Sequence, residues 1–270
     1  MLSLPIATEN FATILREQTD LTQEGRNLGD FRSNFLGKSS TTSGIPKISF
    51  PEPIIVERHC LVEDYIENAI PIVDYIKDNT TEGKKARREL AGPLLRSFLK
   101  MVFMDNFVHG DLHPGNVLVQ KQEGKYTIVF LDAGIATKLG KGDLNNLKDL
   151  FKAVILNDGA KAGRLMVERA RYERCTQTEG GLEKFSEGIE KIVSVFHNRR
   201  KQGLTLGVVR IGSLLSEVLE LCRVHGVEID PAMSNVVMST LVLEGLGRSL
   251  DPDLNLIDCA LPFVLGRGKV

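Results

Sequence analysis

The chain has 270 residues, room for one large domain or two small ones, and its 34 basic and 35 acidic residues leave a formal charge of -1. A balance this even gives no footprint for nucleic acid, so no nucleic-acid partner is expected. The local basic runs Lys84-Lys85-Ala86-Arg87-Arg88 and Arg199-Arg200-Lys201 read as solvated helix faces.

The first segment, Glu9 to Phe35, carries Phe11, Ile14, Leu15, Leu21, Leu28 and Phe31 at helical spacing. Asn34 to Ile45, rich in Gly, Ser and Thr, reads as a loop. Short strands are predicted at Ile48-Ser49-Phe50, Ile54-Ile55-Val56 and Cys60-Leu61-Val62, with Pro51 and Pro53 keeping them at edges or bends. A helix is predicted from Gly83 to Asn106, with Leu90, Leu94, Leu95, Phe98, Leu99, Val102 and Phe103 on one broad face. Two β-prone runs follow, Val117-Leu118-Val119 and Thr127 to Leu131, with Gln120 to Lys125 as the turn between them. Everything after Asp143 reads as helix: Asp143–Asn157, Ala160–Arg171, Leu182–Arg200, Gly207–His225, Pro231–Leu250 and Asp253–Leu265. Asp230 before Pro231 is a predicted N-cap. The apolar runs at Val236 to Leu243 and Leu261 to Leu265 read as helical core rather than membrane contacts. No apolar run reaches the ~18 residues of a spanning helix. Met1-Leu2-Ser3-Leu4-Pro5 opens neither a secretory signal nor a clear mitochondrial presequence. Cys60, Cys175, Cys222 and Cys259 are too far apart in sequence for a zinc or redox pair and read as free thiols.

Two polar motifs carry chemistry: His109-Gly110-Asp111-Leu112-His113-Pro114-Gly115-Asn116 and Asp132-Ala133-Gly134. Phosphoryl transfer needs a carboxylate near the accepting hydroxyl and oxygen ligands for magnesium. Asp111 reads as the base or positioning carboxylate, and Asn116 and Asp132 as metal ligands. His-x-Asp-x-x-x-x-Asn followed by strand, turn, strand and Asp-x-Gly is the protein-kinase arrangement. Two readings compete with it. Asp111 and Asn116 could be turn formers around Pro114-Gly115, with Asp132 capping a turn. His109, Asp111 and His113 could instead converge on a hydrolase metal, though Pro114-Gly115 argues for a loop and such a site wants a further ligand. His109 itself reads as a buttress of the loop.

Together with Glu244-Gly245-Leu246-Gly247-Arg248-Ser249-Leu250-Asp251-Pro252-Asp253, these motifs resemble the UbiB-type, aarF-domain atypical kinases, and the resemblance runs from about Leu4 to Leu265. It is nearest to a mitochondrial branch, subtype two, of that family. The resemblance implies an α+β, protein-kinase-like fold with a truncated N-lobe and a mostly α-helical C-lobe with short β-hairpins. Residues 1–66 would be the residual N-lobe and residues 67–270 the C-lobe. Asp111 matches the catalytic-loop aspartate, and Asn116 and Asp132 the magnesium ligands. Glu24, in Gln23-Glu24-Gly25-Arg26-Asn27, matches the helix glutamate that pairs with a nucleotide-binding lysine. Glu63, Asp64 and Tyr65 match the hinge that holds adenine through backbone groups. ATP and Mg2+ are the implied cofactors. Membrane lipid or coenzyme Q pathway proteins are the implied partners, and the mitochondrion the implied location. Some members favour ATPase-like activity over protein phosphorylation.

The departures bear on activity. The family's Lys-x-Gly-Gln segment, alanine-rich nucleotide loop and strand lysine do not occur in these 270 residues. Gln18-Thr19-Asp20 stands where the family has Glu-x-Asp, and Ala133 follows the metal aspartate where typical kinases have phenylalanine. Weak or absent turnover is therefore expected, because preorganised charge is the largest catalytic term. The alternatives are a non-catalytic pseudokinase scaffold and an aminoglycoside- or choline-type kinase. The latter shares the His-Gly-Asp-Leu-His loop but not the segment at 244–253.

Overall fold

Asp20 starts helix α1, Leu21–Leu36: its carboxylate accepts the Thr22 N–H at 3.1 Å and the Thr22 hydroxyl at 2.6 Å, which meets donors that a helix start leaves unpaired. In the computed structural model of the chain, residues 19–36, 47–170, 172–200, 211–228, 231–254 and 256–264 are described. The part of the predicted first helix before Thr19, and Asp230, the expected N-cap, lie outside them. The chain divides into two compact units, one of Met1–Asp74 with His109–Ala136, the other of Tyr75–Val108 with Thr137–Val270.

The first unit is built on α1 and a four-stranded sheet. Strands β1 (Lys47–Ser49), β2 (Pro53–Glu57), β3 (Cys60–Glu63), β4 (Ala69–Pro71), β5 (Val117–Gln122) and β6 (Lys125–Phe130) follow in chain order. The sheet order is β1-β6-β5-β4, while β2 and β3 form a separate hairpin. β1 lies parallel to β6, with Ile48 opposite Ile128. β5 and β6 are antiparallel from Val117 opposite Phe130 out to Gln122 opposite Lys125. The strands thus run further than the predicted turn at Gln120 to Lys125 allowed. Glu123 (φ 50°) and Gly124 (φ 75°) both take left-handed conformations, and two such residues suffice to reverse a twisted hairpin. β4, absent from the sequence reading, adds antiparallel to β5 with Pro71 opposite Leu118.

The unit's core is aromatic. Phe31 on α1 stacks on Phe50 at 4.9 Å between ring centroids, and Phe50 meets Phe130 of β6 at 5.5 Å. Leu28 and Phe31, one turn apart on α1, are fully buried. Gly25 lets α1 approach β2, because a Cβ there would lie 2.5 Å from a Val56 methyl.

A short α2 (Ile72–Lys77) crosses the boundary at Asp74, and the second unit is helical: α3 (Thr81–Lys100), α4 (Lys141–Ile155), α5 (Gly159–Glu168), α6 (Gly181–Arg200), α7 (Ile211–His225), α8 (Pro231–Leu250) and α9 (Leu256–Val264). The Thr80 hydroxyl caps α3 by accepting the Gly83 N–H at 3.0 Å. Leu90, Leu94, Leu95, Phe98 and Leu99 are buried as the periodicity predicts. The predicted helix to Asn106 instead changes at Met101 into a π-turn ending at Asp105, and Asn106 closes it at φ 50°. Within that turn Lys100 and Asp105 form a nearly buried ion pair. A second core gathers Ala162, Phe185, Ile189, Val193 and Cys222. Gly163 makes it possible: a Cβ there would lie 2.6 Å from the Ser186 Cα, so only a small residue lets α5 rest on α6. Cys60 is exposed, while Cys175, Cys222 and Cys259 are buried free thiols. Among the described residues, no helix is long and apolar enough to cross a membrane.

Candidate active site

The loop from His109 to Asn116 is organised around one buried imidazole. His109 is fully buried between the rings of Phe31, at 5.8 Å, and Phe130, at 6.4 Å. Its Nδ1 accepts the Asp111 N–H at 3.3 Å, so Nε2 carries the proton and donates to the Leu131 carbonyl at 3.0 Å. Burial holds the imidazole below its ordinary pKa of 6.5, against smaller upward pulls that begin with the Leu131 carbonyl. A neutral His109 thereby ties the catalytic-loop motif to the residue preceding Asp132.

Asp111 is half-exposed at the mouth of the loop. Its backbone carbonyl accepts the His113 N–H at 3.0 Å and the Asn116 side-chain N–H at 3.1 Å. That second bond uses the Asn116 amide nitrogen and leaves Oδ1 as the atom able to meet a cation. The Leu131 N–H donates to the Asn116 carbonyl at 2.9 Å, so the two motifs are stitched at both ends of Leu131. His113 sets its Nδ1 against the Gly115 N–H at 3.0 Å, and its Nε2 lies 3.8 Å from an Asp111 carboxylate oxygen.

Asp132 follows in an unusual backbone state, φ 52°, which side chains rarely adopt. Its carboxylate accepts the Gly134 N–H at 3.3 Å. Helix α1 reaches the same turn with two side chains. The Glu24 carboxylate lies beside the Ala133 backbone, which draws its pKa slightly down, and the Asn27 side-chain N–H donates to the Ala133 carbonyl at 2.7 Å. Glu24 is pushed above its ordinary 4.5, first by burial and then by the charges of Asp132 and Glu63. Glu63 is pushed up as well, first by burial and then by Asp64 and Asp132. The Asp132 charge, in the turn after β6, therefore acts on both Glu24 of α1 and Glu63 of β3.

Such crowding favours a cation. The donors are hard oxygens, which suits magnesium. Among the described residues, no group of three or more His, Cys, Asp or Glu side chains is arranged to hold a metal. Magnesium takes one or two protein oxygens and completes its shell with water and phosphate. Asn116 and Asp132 fit that role, and a His109–Asp111–His113 metal triad does not, since His109 spends both ring nitrogens on backbone groups.

The hinge residues are less uniform. Glu63 belongs to the carboxylate group. Asp64 is engaged locally: its N–H donates to the Glu52 carbonyl at 3.0 Å and its carboxylate accepts the Glu52 N–H. Tyr65 is 86% exposed. Two contributors went unseen in the sequence, Asn27 and the bond from the Gly110 N–H to the Ile135 carbonyl at 2.8 Å. The first had a signal: an amide on the face of α1 that also carries Leu28 and Phe31.

Outside this unit, the distal motif has a structural role. Glu244 is buried on α8, where one carboxylate oxygen accepts the Gly212 N–H of α7 at 2.8 Å and the other meets Arg248. Asp253 lies 3.5 Å from Arg88 of α3.

Comparison with known proteins identifies the family and the fold. The ABC1 atypical kinase-like domain matches residues 3–166, and the UbiB helical domain matches residues 200–255. A mitochondrial ABC1 family protein of Schizosaccharomyces pombe is 32% identical over 97% of this chain and 42% of its own length. A mitochondrial ABC1 family protein of Saccharomyces cerevisiae is 32% identical over 97% of this chain and 45% of its own length. A Dictyostelium discoideum protein named a probable serine/threonine-protein kinase, abkC, is 30% identical over 98% of this chain and 45% of its own. The chain thus spans less than half the length of these relatives. Among solved structures, the Mycobacterium tuberculosis protein Rv3197, in complex with erythromycin, superposes with a TM-score of 0.59 at 14% identity, over 94% of this chain and 60% of that one. The fold is α+β and kinase-like, and the chain belongs to the ABC1/UbiB atypical kinase family.

Proposed function

We propose that the chain performs Mg-nucleotide phosphoryl chemistry, as an atypical kinase or ATPase of the UbiB type, on the platform of Asp111, Asn116 and Asp132. The observation that carries the reading is the double stitch between the two motifs: Leu131 bonds to both His109 and Asn116, which brings the Asp111 loop and Asp132 to one place. Asp111 positions the accepting hydroxyl and takes its proton. Asn116 and Asp132 hold magnesium, which neutralises charge on the phosphates of ATP. Glu63 to Tyr65 offer backbone groups to the adenine. Residues 1–66 then form the nucleotide side and residues 67–270 the catalytic side. The mitochondrial naming of two relatives supports a mitochondrial location, with lipid or coenzyme Q metabolism as the setting.

Among the described residues, no lysine acts on Glu24 on the nucleotide side. Its carboxylate instead lies beside the Ala133 backbone and feels the charges of two further carboxylates. Affinity of the isolated chain for Mg-ATP should therefore be weak, with a Kd above about 100 µM. Titration calorimetry with and without magnesium tests this. A magnesium-dependent ATP response that disappears in Asp132→Asn and Asn116→Ala supports the proposal. A chain that never responds to Mg-ATP, yet is folded, is a scaffold instead.

A further inference from the structure

We infer that Asn27 is a positioning residue that holds Asp132 in its metal-binding conformation. This rests on the phosphoryl-transfer reading above and adds to it a residue that touches neither metal nor nucleotide. Asp132 has its backbone at φ 52°. A non-glycine residue stays in that region only where its surroundings over-determine it. The residues on both sides of Asp132 supply that constraint. Before it, Leu131 gives its N–H to Asn116 and takes the His109 Nε2–H on its carbonyl. After it, the Ala133 carbonyl takes the Asn27 side-chain N–H at 2.7 Å, and an added Cβ on Gly134 would lie 3.8 Å from a Glu24 carboxylate oxygen.

Asn27 suits the task for three reasons. It is buried, so its bond to Ala133 meets little competition from water. Its amide is aimed: the Gln23 side-chain N–H donates to the Asn27 Oδ1 at 2.9 Å, which leaves the nitrogen to face Ala133. It is also neutral, beside a group of carboxylates formed by Glu24, Glu63 and Asp132. An aspartate here would add a fourth negative charge and lose the donor, and a leucine would leave the buried Ala133 carbonyl bare.

The test compares Asn27→Leu and the conservative Asn27→Gln with the wild-type 270-residue chain in two measurements. The first is amide hydrogen exchange without metal or nucleotide. Asn27→Leu should exchange about ten-fold faster over Leu131–Ile135, the change expected from one lost buried hydrogen bond, while β5 and α3 to α6 keep wild-type rates. The second is the magnesium concentration that half-saturates ATP binding. Asn27→Leu should raise it about ten-fold, with nucleotide affinity in EDTA unchanged and Asn27→Gln recovering part of the loss. If Asn27→Leu matches wild type in either measurement while wild type responds to magnesium, the inference fails and the proposed function stands. If wild type itself shows no magnesium response, the proposed function fails, and the inference with it.

Discussion

The Nε2–H of His109 donates to the Leu131 carbonyl at 3.0 Å, and this one bond joins the two motifs that define the site. Its environment makes it sensitive to pH. In the folded chain burial holds the imidazole below 6.5, so below that pH the unfolded chain takes up the proton first. Stability from His109 is therefore complete above pH 6.5 and is lost as pH falls through the folded value. His109→Leu should cost roughly 2–3 kcal/mol at pH 8, because it strands the Leu131 carbonyl and the Asp111 N–H. Urea unfolding from pH 8 to pH 5 checks this. The gap between variant and wild type should narrow below pH 6.5, and parallel profiles would sink the assignment.

Glu63 behaves with the opposite sign. Its folded pKa lies above the ordinary 4.5, so its ionised form is unfavourable in the fold. Glu63→Gln should raise the melting temperature at neutral pH. The gain should fade as pH falls from the folded pKa to 4.5, where the unfolded chain protonates too. Adding Mg-ATP to wild type should shrink it as well, if a cation enters the carboxylate group. Thermal melts at pH 7 and pH 4.5, each with and without Mg-ATP, give all four numbers.

In the helical unit, Glu244 joins two helices through a buried charge. Glu244→Leu should destabilise the chain by roughly 2–4 kcal/mol, since it leaves Arg248 without its carboxylate and the Gly212 N–H without its acceptor. Glu244→Gln keeps an acceptor for Gly212 and should lose about half as much. Guanidinium unfolding followed by circular dichroism separates the two. Equal losses would place the whole effect on the ion pair.

The hairpin between the motifs offers a test without chemistry. At Gly124, with φ 75° and open space around an added Cβ, Gly124→Ala should cost roughly 1–2 kcal/mol purely through backbone strain. Glu123, at φ 50°, should gain about 0.5 kcal/mol as Asn, which tolerates the left-handed region better. Unchanged midpoints would mean that the turn differs from the one described.

Local pattern was enough to place much of this protein. The apolar stripe of α3, the edge strands near Pro51 and Pro53, and the boundaries of α8 are periodicity and proline effects, which act within a few residues. The motif residues were legible because their spacing is itself local: Asp111 to Asn116 is one loop, and Asp132 ends one hairpin. What local pattern missed depends on partners far along the chain. β4 has only three residues and exists because β5 offers an edge. The last turn of α3 widens into a π-turn where the Lys100–Asp105 pair and Asn106 meet.

By itself, then, the amino-acid sequence determined the chemistry on offer: a carboxylate, an amide and a second carboxylate at kinase-like spacing, in a chain of the ABC1/UbiB family. Only the tertiary structure decided how those groups are held. His109 reaches Leu131, and Asn27 of α1 holds the Ala133 carbonyl, because the Phe31–Phe50–Phe130 cluster sets helix and sheet at contact distance. A hydrogen bond across 106 residues leaves no trace in local propensity, since its strength depends on burial and aim that exist only after the chain has packed.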